Sequence, residues 1–414
     1  MTATLYASLS YAAAGAAAAG LCGYLLTLAV AALADRDRTR PNDTRRNEPA
    51  HTRLAVLVPA HNEADLIGRC LASLQRQTYP QELYRVVVIA DNCSDDTAEI
   101  ATLLGADVLI RHDPQAAGKG RALRWAMDAL LATDTSVDAF VVIDADSVVD
   151  TALLDGLAAR FATGAEAVQG EYLALPEEPT PRAQLRSAAF LLFHRVRFSG
   201  RGKLGLPCNL VGNGMLFSAK LMRARPWNAF SGAEDLEFTV ELRMHGVRPV
   251  FARDTRVWAP IASRGAAART QRLRWEGGGL HVRRSRLPAV LKEIVQYRRW
   301  RLADLALDLA TPPLGVLAAL SLTGAGVGAS LCTLRLIQLW SLTPWLFAVS
   351  ALPAHVLIGL IAARAPASMY RALLHAPALM LAELATRLRL LGGTHADKWE
   401  RTARPSEVRP AGAP

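Results

Sequence analysis

The hydrophobic and polar positions of this chain follow two different patterns. Three long stretches contain no Asp, Glu, Lys or Arg: residues 2–34, 309–334 and 336–363. Between the first and the second, short runs of β-branched and other apolar residues alternate with segments of helical periodicity. Because about 20 consecutive apolar residues are enough to cross a bilayer as a helix, the first pattern predicts membrane helices. The second pattern predicts an α/β domain in the middle of the chain.

The apolar N-terminal stretch predicts a transmembrane helix over residues 1–34. A cleaved signal peptide is the alternative, but the uncharged stretch is longer than such a peptide, and no Lys or Arg precedes it. The linker that follows, residues 35–53, holds six Arg and four acidic residues. Cytoplasmic flanks of membrane helices carry an excess of basic residues, so we expect this linker on the cytoplasmic side.

The C-terminal third predicts two further transmembrane helices over residues 309–363, with Arg335 between them. The basic segment 281–308 is expected to lie amphipathically on the inner membrane surface, with a solvated charged helix as the alternative. Residues 364–394 mix apolar positions with charges and prolines, and they predict an interfacial or membrane helix. The tail, residues 395–414, is expected in the cytoplasm. The pattern thus predicts a multi-pass protein of the inner (plasma) membrane with its middle domain in the cytoplasm.

Residues 54–280 predict the fold of that middle domain. Apolar runs with strand character are followed by helical patterns, an order typical of a parallel, doubly wound sheet covered by helices on both faces. The strands are predicted at Leu54–Val58, Arg85–Ala90, Val108–Ile110 and Ala139–Ile143. Ligands bind beyond the carboxyl ends of the strands in such sheets. The polar residues after Val58, Ala90 and Ile143 are therefore the candidates for a site.

Composition and charge exclude some partners. The chain has 414 residues, of which 51% are hydrophobic, and a formal net charge of +10. Only five of its 47 basic residues are Lys, a bias that indicates genome base composition rather than a nucleic-acid partner. No zinc-finger spacing or basic–aromatic alternation supports nucleic-acid binding. The five cysteines lie far apart, which fits a reducing compartment and argues against structural zinc or a disulfide framework.

Two carboxylates, Asp144 and Asp146, follow the fourth predicted strand. Carboxylates on one turn can bind a hard divalent cation such as Mg²⁺ or Mn²⁺, and that cation can neutralise a diphosphate. A plain surface turn or a helix cap is the alternative, because the D-x-D spacing also arises by chance, as at Asp35 and Asp37. The first pair differs from the second in its position at the expected ligand edge of the sheet.

Other polar groups are expected at the same edge. Asp91 follows the second strand, where its carboxylate can accept hydrogen bonds from a ribose or a base. Asn62 and Glu63 lie in the loop after the first strand. Lys119 stands in a Gly-Lys-Gly sequence that opens a helix, so it can meet a phosphate, although a plain helix start explains the same residues.

Taken together, these motifs resemble those of family 2 glycosyltransferases with a GT-A fold. In chain order they are PAHNE (59–63), ADNCSDD (90–96), GKG (118–120), DAD (144–146), GAED (232–235) and QRLRW (271–275). The resemblance is greatest to the membrane-embedded branch with D, DxD, ED and QxxRW motifs, which includes cellulose, chitin, hyaluronan and poly-N-acetylglucosamine synthases and ceramide glucosyltransferases. It implies an α/β GT-A (Rossmann-like) domain over residues 54–280, inserted between transmembrane helices.

The resemblance also implies how a nucleotide-sugar donor would be held. The donor-binding residues would be Asp91, Asn62, Glu63, Lys119 and Asp144. Asp144 and Asp146 would in addition flank a Mg²⁺ or Mn²⁺ ion on the diphosphate. The donor is expected to be UDP-linked, yet Ala90 stands where many relatives have Asp, and Asn92-Cys93 replaces the common Gly-Ser. These departures leave the base preference open.

For the transfer itself, the resemblance implies Asp235 as the general base that deprotonates an acceptor hydroxyl. Gln271, Arg274 and Trp275 would close over the donor, with Arg274 facing the departing diphosphate and Trp275 stacking on an acceptor sugar. Two glycine-rich segments remain. Gly277–Gly279 is expected to form a mobile loop or hinge. Pro207–Met215 is expected either to bring backbone close to the acceptor or to form a tight turn.

The expected function is an inverting transfer of a sugar to a growing glycan, as in exopolysaccharide or surface polysaccharide synthesis. The alternative is the same chemistry on a membrane lipid acceptor. Three spans are few for a self-contained polymer channel, so export would need a partner protein or a homo-oligomer. A catalytically silent membrane scaffold is a third hypothesis, which the joint presence of all these motifs disfavours.

Overall fold

The computed structural model describes residues 2–36, 51–176, 180–261 and 265–378. Most of the linker expected at 35–53, the second half of 364–394 and the whole tail at 395–414 lie outside the described residues. The chain divides into two compact units. A helical unit takes residues 1–38, 180–206 and 287–394, and an α/β unit takes 39–179 and 207–286 together with the tail.

The described strands are β1 (Leu54–Ala60), β2 (Tyr84–Asp91), β3 (Asp107–Arg111), β4 (Ala139–Val142), β5 (Val148–Val149), β6 (Ala167–Pro176), β7 (Met215–Ser218) and β8 (Val250–Ile261). The described helices are α1 (Thr2–Asp35), α2 (Ala64–Leu74), α3 (Thr97–Leu103), α4 (Lys119–Thr133), α5 (Leu153–Ala162), α6 (Pro181–Leu191), α7 (Arg197–Lys203), α8 (Ala219–Ala224), α9 (Glu234–Met244), α10 (Gly265–Tyr297), α11 (Ala303–Ala310), α12 (Leu314–Thr333), α13 (Thr343–Ala362) and α14 (Ala367–Ala372).

The α/β unit is built on one eight-stranded sheet with the strand order β3-β2-β1-β4-β7-β6-β8-β5. The four strands predicted from the sequence are its parallel half. The other half is mixed, because β7 pairs antiparallel with both β4 and β6, β8 is parallel to β6, and β5 is antiparallel to β8. The parallel arrangement predicted for the first four strands is confirmed, and the mixed half beyond β4 was not predicted from the sequence. The short apolar run of β7 does not reveal its direction, since fully buried strands look alike in both arrangements.

Both faces of β1 and β4 are buried, which explains their uninterrupted apolar runs. Alternate side chains of a strand point to opposite faces. Val56 and Val141 thus pack in the cluster that includes Leu71 of α2. Leu57 and Val142 pack in the cluster of α4 and α9.

The register of the sheet brings the polar loops to one edge. Ala60 at the end of β1 pairs with Ala90 of β2, and Leu57 pairs with Val142 of β4. The loops that follow these three parallel strands therefore leave the sheet at the same edge, where the sequence places its candidate site.

The helical unit contains three helices that are long and apolar enough to cross a membrane: Thr2–Asp35, Leu314–Thr333 and Leu339–Ala362. The third is α13 with the short turn before it. These helices pack closely through small residues. Gly15 of α1 lies against the ring of Trp345, where an added Cβ would come within 2.7 Å of the indole nitrogen. The same indole donates a hydrogen bond to the Tyr11 carbonyl at 3.2 Å.

A buried charged cluster also lies within the helical unit. Arg201 of α7 is completely buried and contacts Asp308 at 3.0 Å and Asp304 at 3.5 Å. The Tyr24 hydroxyl donates to Asp304 at 2.7 Å and accepts from Arg201 at 2.6 Å. Buried charges require partners of opposite sign. Through these contacts the cluster joins α1, α7 and α11.

Candidate active site

Asp144 and Asp146 lie on one turn, residues 144–147, at the carboxyl edge of the sheet. We call it the DxD turn. β4 ends at Val142, and a hydrogen bond of 3.0 Å from the Ser147 amide to the Asp144 carbonyl closes the turn. The side chains of Asp144 and Asp146 are partly exposed. The turn therefore presents two carboxylates where ligands bind in open α/β sheets.

The ammonium group of Lys119 links this turn to a second loop. Lys119 is the first residue of α4, and its Nζ forms an ion pair with Asp144 and donates to the Gly212 carbonyl at 2.5 Å. Burial lowers its pKa, but the carboxylates of Asp144, Glu234 and Asp235 raise it more, so the pKa lies above its usual value. A cation thus stands among three carboxylates at neutral pH.

Asp235 lies in the first turn of α9, beside Glu234. Its Oδ1 accepts the N–H of Leu236 at 2.7 Å. Burial and the neighbouring Glu234 carboxylate raise the pKa of Asp235 to about 7, although the Leu236 amide and Lys119 act in the opposite direction. A carboxyl group with this pKa can accept a proton near neutral pH, as a general base must.

Asp91 lies at the end of β2, as the sequence predicts, and its carboxylate already has partners within the protein. Nη1 of Arg111 contacts Asp91 Oδ1 at 2.6 Å, and both side chains are buried. Asn92 donates to the same oxygen at 3.1 Å, and the Gly118 amide donates to the other at 3.4 Å. Asp91 therefore ties the end of β3 and the start of α4 to β2. The sequence reasoning missed Arg111, which follows a short apolar run in an otherwise uninformative stretch.

Asn62 and Glu63 connect the first polar loop to the second. Asn62 Oδ1 accepts the amide N–H of Ser94 at 2.7 Å. The amide of Glu63 donates to the Thr97 hydroxyl at 2.8 Å. These contacts connect the loop after β1 to the loop after β2, which begins at Asp91.

The QRLRW motif lies in the first half of α10, where Trp275 is 40% exposed. Gln271 is partly exposed, and the side chain of Arg274 lies outside the described residues. Gly277–Gly279 continue the helix, so the expectation of a loop or hinge is wrong. An added Cβ on Gly278 would come within 2.7 Å of the Gly232 carbonyl carbon. The glycine therefore allows α10 to approach the turn before Asp235.

An ion pair reinforces this approach. Arg286, later in α10, contacts Glu237 of α9 at 2.8 Å, and Glu237 also accepts the Ser231 amide at 3.2 Å. Helix α10 thus contacts the start of the GAED sequence through Gly278 and the residue Glu237 after it through Arg286. The motif at its start and the candidate base at the start of α9 belong to one packed assembly.

The Pro207–Met215 segment proves more important than its sequence indicated. It forms a turn in which Gly212 and Gly214 have φ of +79° and +68°, a conformation that favours glycine. Asn213 between them is completely buried and contacts the DxD turn. Gln169 of β6 also holds this segment, and no sequence pattern indicates a role for that residue. The two glycines flanking an Asn were the available signal.

The residues present fit a metal ion that is shared with a substrate. No group of three or more His, Cys, Asp or Glu able to hold a metal ion occurs within the described residues. Asp144 and Asp146 nevertheless supply two hard oxygen donors on one turn. Mg²⁺ commonly binds to one or two carboxylates plus the phosphates of its substrate. A metal at this turn would therefore depend on a diphosphate for its remaining ligands.

Comparison with known proteins defines the class of this chain. The family model described as "Glycosyltransferase like family 2" matches residues 50–278, more than half of the chain. The chain belongs to this family. Its mixed α/β domain is the GT-A domain that the resemblance implies, and apolar helices able to span a membrane flank it in the sequence.

Individual relatives cover only part of this chain. The probable glycosyltransferase YdaM of Bacillus subtilis is 24% identical over 64% of this chain and 62% of its own length. The beta-monoglucosyldiacylglycerol synthase of Synechocystis sp. is 26% identical over 55% of this chain and 48% of its own. The chain thus spans less than two thirds of either curated relative. Among solved structures, the mannosyltransferase PcManGT from Pyrobaculum calidifontis, in complex with GDP-Man and Mn²⁺, has a TM-score of 0.43 at 19% identity, covering 82% of this chain and 98% of its own.

Proposed function

We propose that this glycosyltransferase transfers a sugar from a UDP-linked donor, with inversion, to a growing glycan of an exopolysaccharide or surface polysaccharide. One observation carries the proposal. Lys119 forms an ion pair with Asp144, the carboxylate that would face the donor, and lies close to Asp235. The pKa of Asp235, about 7, suits a general base. Direct displacement needs the donor and the base on opposite sides of one sugar. Asp144, on the donor side, and Asp235, the candidate base, both lie near the Lys119 ammonium group.

In the proposed reaction, Asp235 accepts the proton of an acceptor hydroxyl. The hydroxyl oxygen forms a bond to the anomeric carbon while the bond from that carbon to the diphosphate oxygen breaks. The nucleoside diphosphate leaves with the electron pair, and an α-linked donor gives a β-glycoside. Lys119 lies close enough to Asp144 to stabilise the negative charge that develops on the leaving group.

Other residues would bind and enclose the donor. Asp91 would hold the nucleoside from the rim, with Asn62 and Glu63 shaping the neighbouring loop. Gln271, Arg274 and Trp275 would close over the donor from α10. The exposed face of Trp275 suits stacking against a sugar.

Asp144 and Asp146 would hold Mg²⁺ or Mn²⁺ together with the donor diphosphate. Such an ion supplies charge neutralisation for the departing diphosphate. The proposal is supported by two hard oxygen donors on one turn, Asp144 and Asp146, whose side chains are both partly exposed.

A lipid acceptor is the second candidate. The similarity to a protein named beta-monoglucosyldiacylglycerol synthase and the three helices able to span a membrane both favour it. The proposed arrangement is multi-pass in the inner (plasma) membrane, with residues 54–280 in the cytoplasm and 281–308 at the membrane surface. If the product is a polymer, its export would require a partner protein or a homo-oligomer.

A donor and acceptor screen tests the proposal. The full chain, purified in detergent, is incubated with Mn²⁺ and one of UDP-glucose, UDP-N-acetylglucosamine, UDP-galactose or GDP-mannose, and the released nucleoside diphosphate is measured. Each donor is paired with a soluble oligosaccharide or with diacylglycerol micelles. Release with a UDP-sugar that rises with oligosaccharide supports the first candidate, and release that rises only with diacylglycerol supports the second. Release with GDP-mannose alone would overturn the assignment of a UDP-linked donor.

A further inference from the structure

The turn at Gly212–Gly214 contacts both parts of the proposed site: the DxD turn on one side, and Lys119 with Asp235 on the other. Asn213 is completely buried at its centre. Its Oδ1 accepts the Asp144 amide at 3.2 Å, and its Nδ2 donates to the Ser147 hydroxyl at 2.8 Å. One amide side chain thus contacts both ends of the DxD turn, which is itself closed by the bond from the Ser147 amide to the Asp144 carbonyl.

The residue before Asn213 contacts the other half of the site. The Gly212 carbonyl accepts the Lys119 ammonium at 2.5 Å. A Cβ added to Gly212 would lie 3.3 Å from Asp235 Oδ2 and 3.5 Å from Lys119 Nζ. The backbone next to Asn213 therefore packs directly against the proposed base and its cation.

Further bonds hold the turn rigidly against the sheet. Nε2 of Gln169 donates to the Asn213 carbonyl at 2.7 Å, and its Oε1 accepts the Val211 amide at 2.9 Å. The Gly214 amide donates to the Val142 carbonyl, at the end of β4, at 2.9 Å. The turn is thus fastened to β4 and β6 independently of its contacts in the site.

We propose that Asn213 is a positioning residue for the transfer reaction: it sets the DxD turn at a fixed distance from the backbone that contacts Lys119 and Asp235. The inference rests on the proposed function. Asn213 itself touches no reacting group and acts through Asp144 and Ser147. Because a metal ion and a diphosphate need both carboxylates of the turn in one orientation, loss of the amide would weaken their binding as well as slow turnover.

Two variants and one control test this role. Asn213→Ala removes both hydrogen bonds to the DxD turn, together with the side-chain contact between Asn213 and Tyr172. Ser147→Ala removes the bond to Nδ2 and also the bond from the Ser147 hydroxyl to Asp146 Oδ1 at 3.4 Å. Asn228→Ala is the control, since this exposed Asn contacts Arg124 at 2.9 Å, away from the proposed machinery. For each full-length protein in detergent, calorimetric titration with UDP in the presence of Mn²⁺ gives the dissociation constant of UDP. Activity against Mn²⁺ concentration gives the half-saturating concentration and the maximal rate.

Partners of metal ligands typically contribute on the order of 10- to 100-fold in metal affinity, so Asn213→Ala should raise the half-saturating Mn²⁺ concentration and the UDP dissociation constant by about tenfold or more. Ser147→Ala should also raise both, and Asn228→Ala should raise neither. A purely structural role would reduce the amount of active protein and hence the maximal rate alone. Unchanged half-saturation in Asn213→Ala would therefore overturn the proposal. If that variant does not fold, unchanged half-saturation in Ser147→Ala overturns it.

The wild-type titration separates this inference from the proposed function. Failure of the wild-type chain to bind UDP with Mn²⁺ overturns the proposed function, and the inference with it. Wild-type binding that both variants retain unchanged overturns the inference alone.

Discussion

At the scale of single residues, Lys119 and Asp235 give the site its electrostatic character. The ammonium group contacts Asp144, and the nearby Asp235 keeps a pKa of about 7 because burial and Glu234 disfavour its charged form more than Lys119 and the Leu236 amide favour it. A base with this pKa is fully ionised only above neutral pH. Its strength as a proton acceptor is greater than that of an ordinary carboxylate.

This pKa predicts the pH dependence of the reaction. Since a raised pKa means that Asp235 is protonated below about pH 7, kcat/KM should rise with pH through that value and then level off. Below it, kcat/KM should fall roughly tenfold per pH unit, as expected for one required base. Initial rates at subsaturating donor between pH 5 and 9 provide the measurement. A rate that stays level down to pH 5 would show that the base has an ordinary carboxylate pKa.

Asp144 and Asp146 predict dependence on a divalent metal. Treatment with EDTA should abolish turnover, and Mg²⁺ or Mn²⁺ should restore it, because Asp144 and Asp146 would hold the ion together with the donor diphosphate. Released diphosphate is measured before chelation, after chelation and after metal addition. Undiminished turnover in a metal-free preparation would mean that Lys119 and its neighbours neutralise the diphosphate alone.

At the scale of elements, the contact between α10 and the turn before α9 is the critical one. The QRLRW motif can act on the donor only if α10 stays in place beside Asp235. Gly278 allows this contact because its missing side chain leaves room for the backbone of Gly232 and Ala233. The ion pair between Arg286 and Glu237 holds the same two helices further along.

Matched glycine variants test this contact. Gly278→Ala places a Cβ 2.7 Å from Gly232 backbone, so it should destabilise the α/β unit by about 1–3 kcal/mol and reduce turnover. Gly277→Ala and Gly279→Ala meet no atom within 4 Å, and each should be neutral or stabilising by up to about 1 kcal/mol through helix propensity. Thermal unfolding and kcat are compared for the three variants. Equal behaviour of all three would contradict the packing role of Gly278.

At the scale of the whole molecule, the predicted topology has a direct test. Ser136, exposed in the α/β unit, and Ser406 in the tail are each replaced by Cys in a cysteine-free background. Because basic residues flank this side of the spans, a membrane-impermeant thiol reagent added to intact cells should label neither. Leu334→Cys, in the short connection between α12 and α13, should be labelled and serves as the positive control. Labelling of Ser136→Cys from outside would reverse the assigned orientation.

The sequence predicted one half of the α/β unit better than the other, for physical reasons. β1, β2, β3 and β4 each contain a run of consecutive apolar residues, and polar residues follow each run, so both the strands and their shared edge could be predicted. The direction of β7 and the order of the remaining strands depend on tertiary pairing that no local pattern encodes. The helical state of Gly277–Gly279 was missed because local propensity disfavours it and packing overrides that propensity.

The site shows the same division. Asp144 and Lys119 were predicted as site residues from their positions after a strand and at a helix start, and Asp235 was predicted from the family resemblance. The structure places these three residues close together. Arg111 and Asn213 were missed because their roles arise from contacts between segments far apart in the chain. Positioning residues of this kind act through other residues, so they carry little signal in one sequence.

If Asp235 is the base of a nucleotide-sugar transfer, its replacement should slow turnover and leave donor binding intact. In the full chain, kcat and the donor dissociation constant are measured for the wild type, Asp235→Asn and Glu234→Gln, using the UDP-sugar that supports turnover. Asp235→Asn should bind the donor normally and lose at least about 10²-fold in kcat, which is the low end for removal of a general base. Glu234→Gln should lose less kcat than Asp235→Asn. Near-normal turnover of Asp235→Asn, or a loss confined to donor affinity, would contradict the assignment of Asp235 as the base.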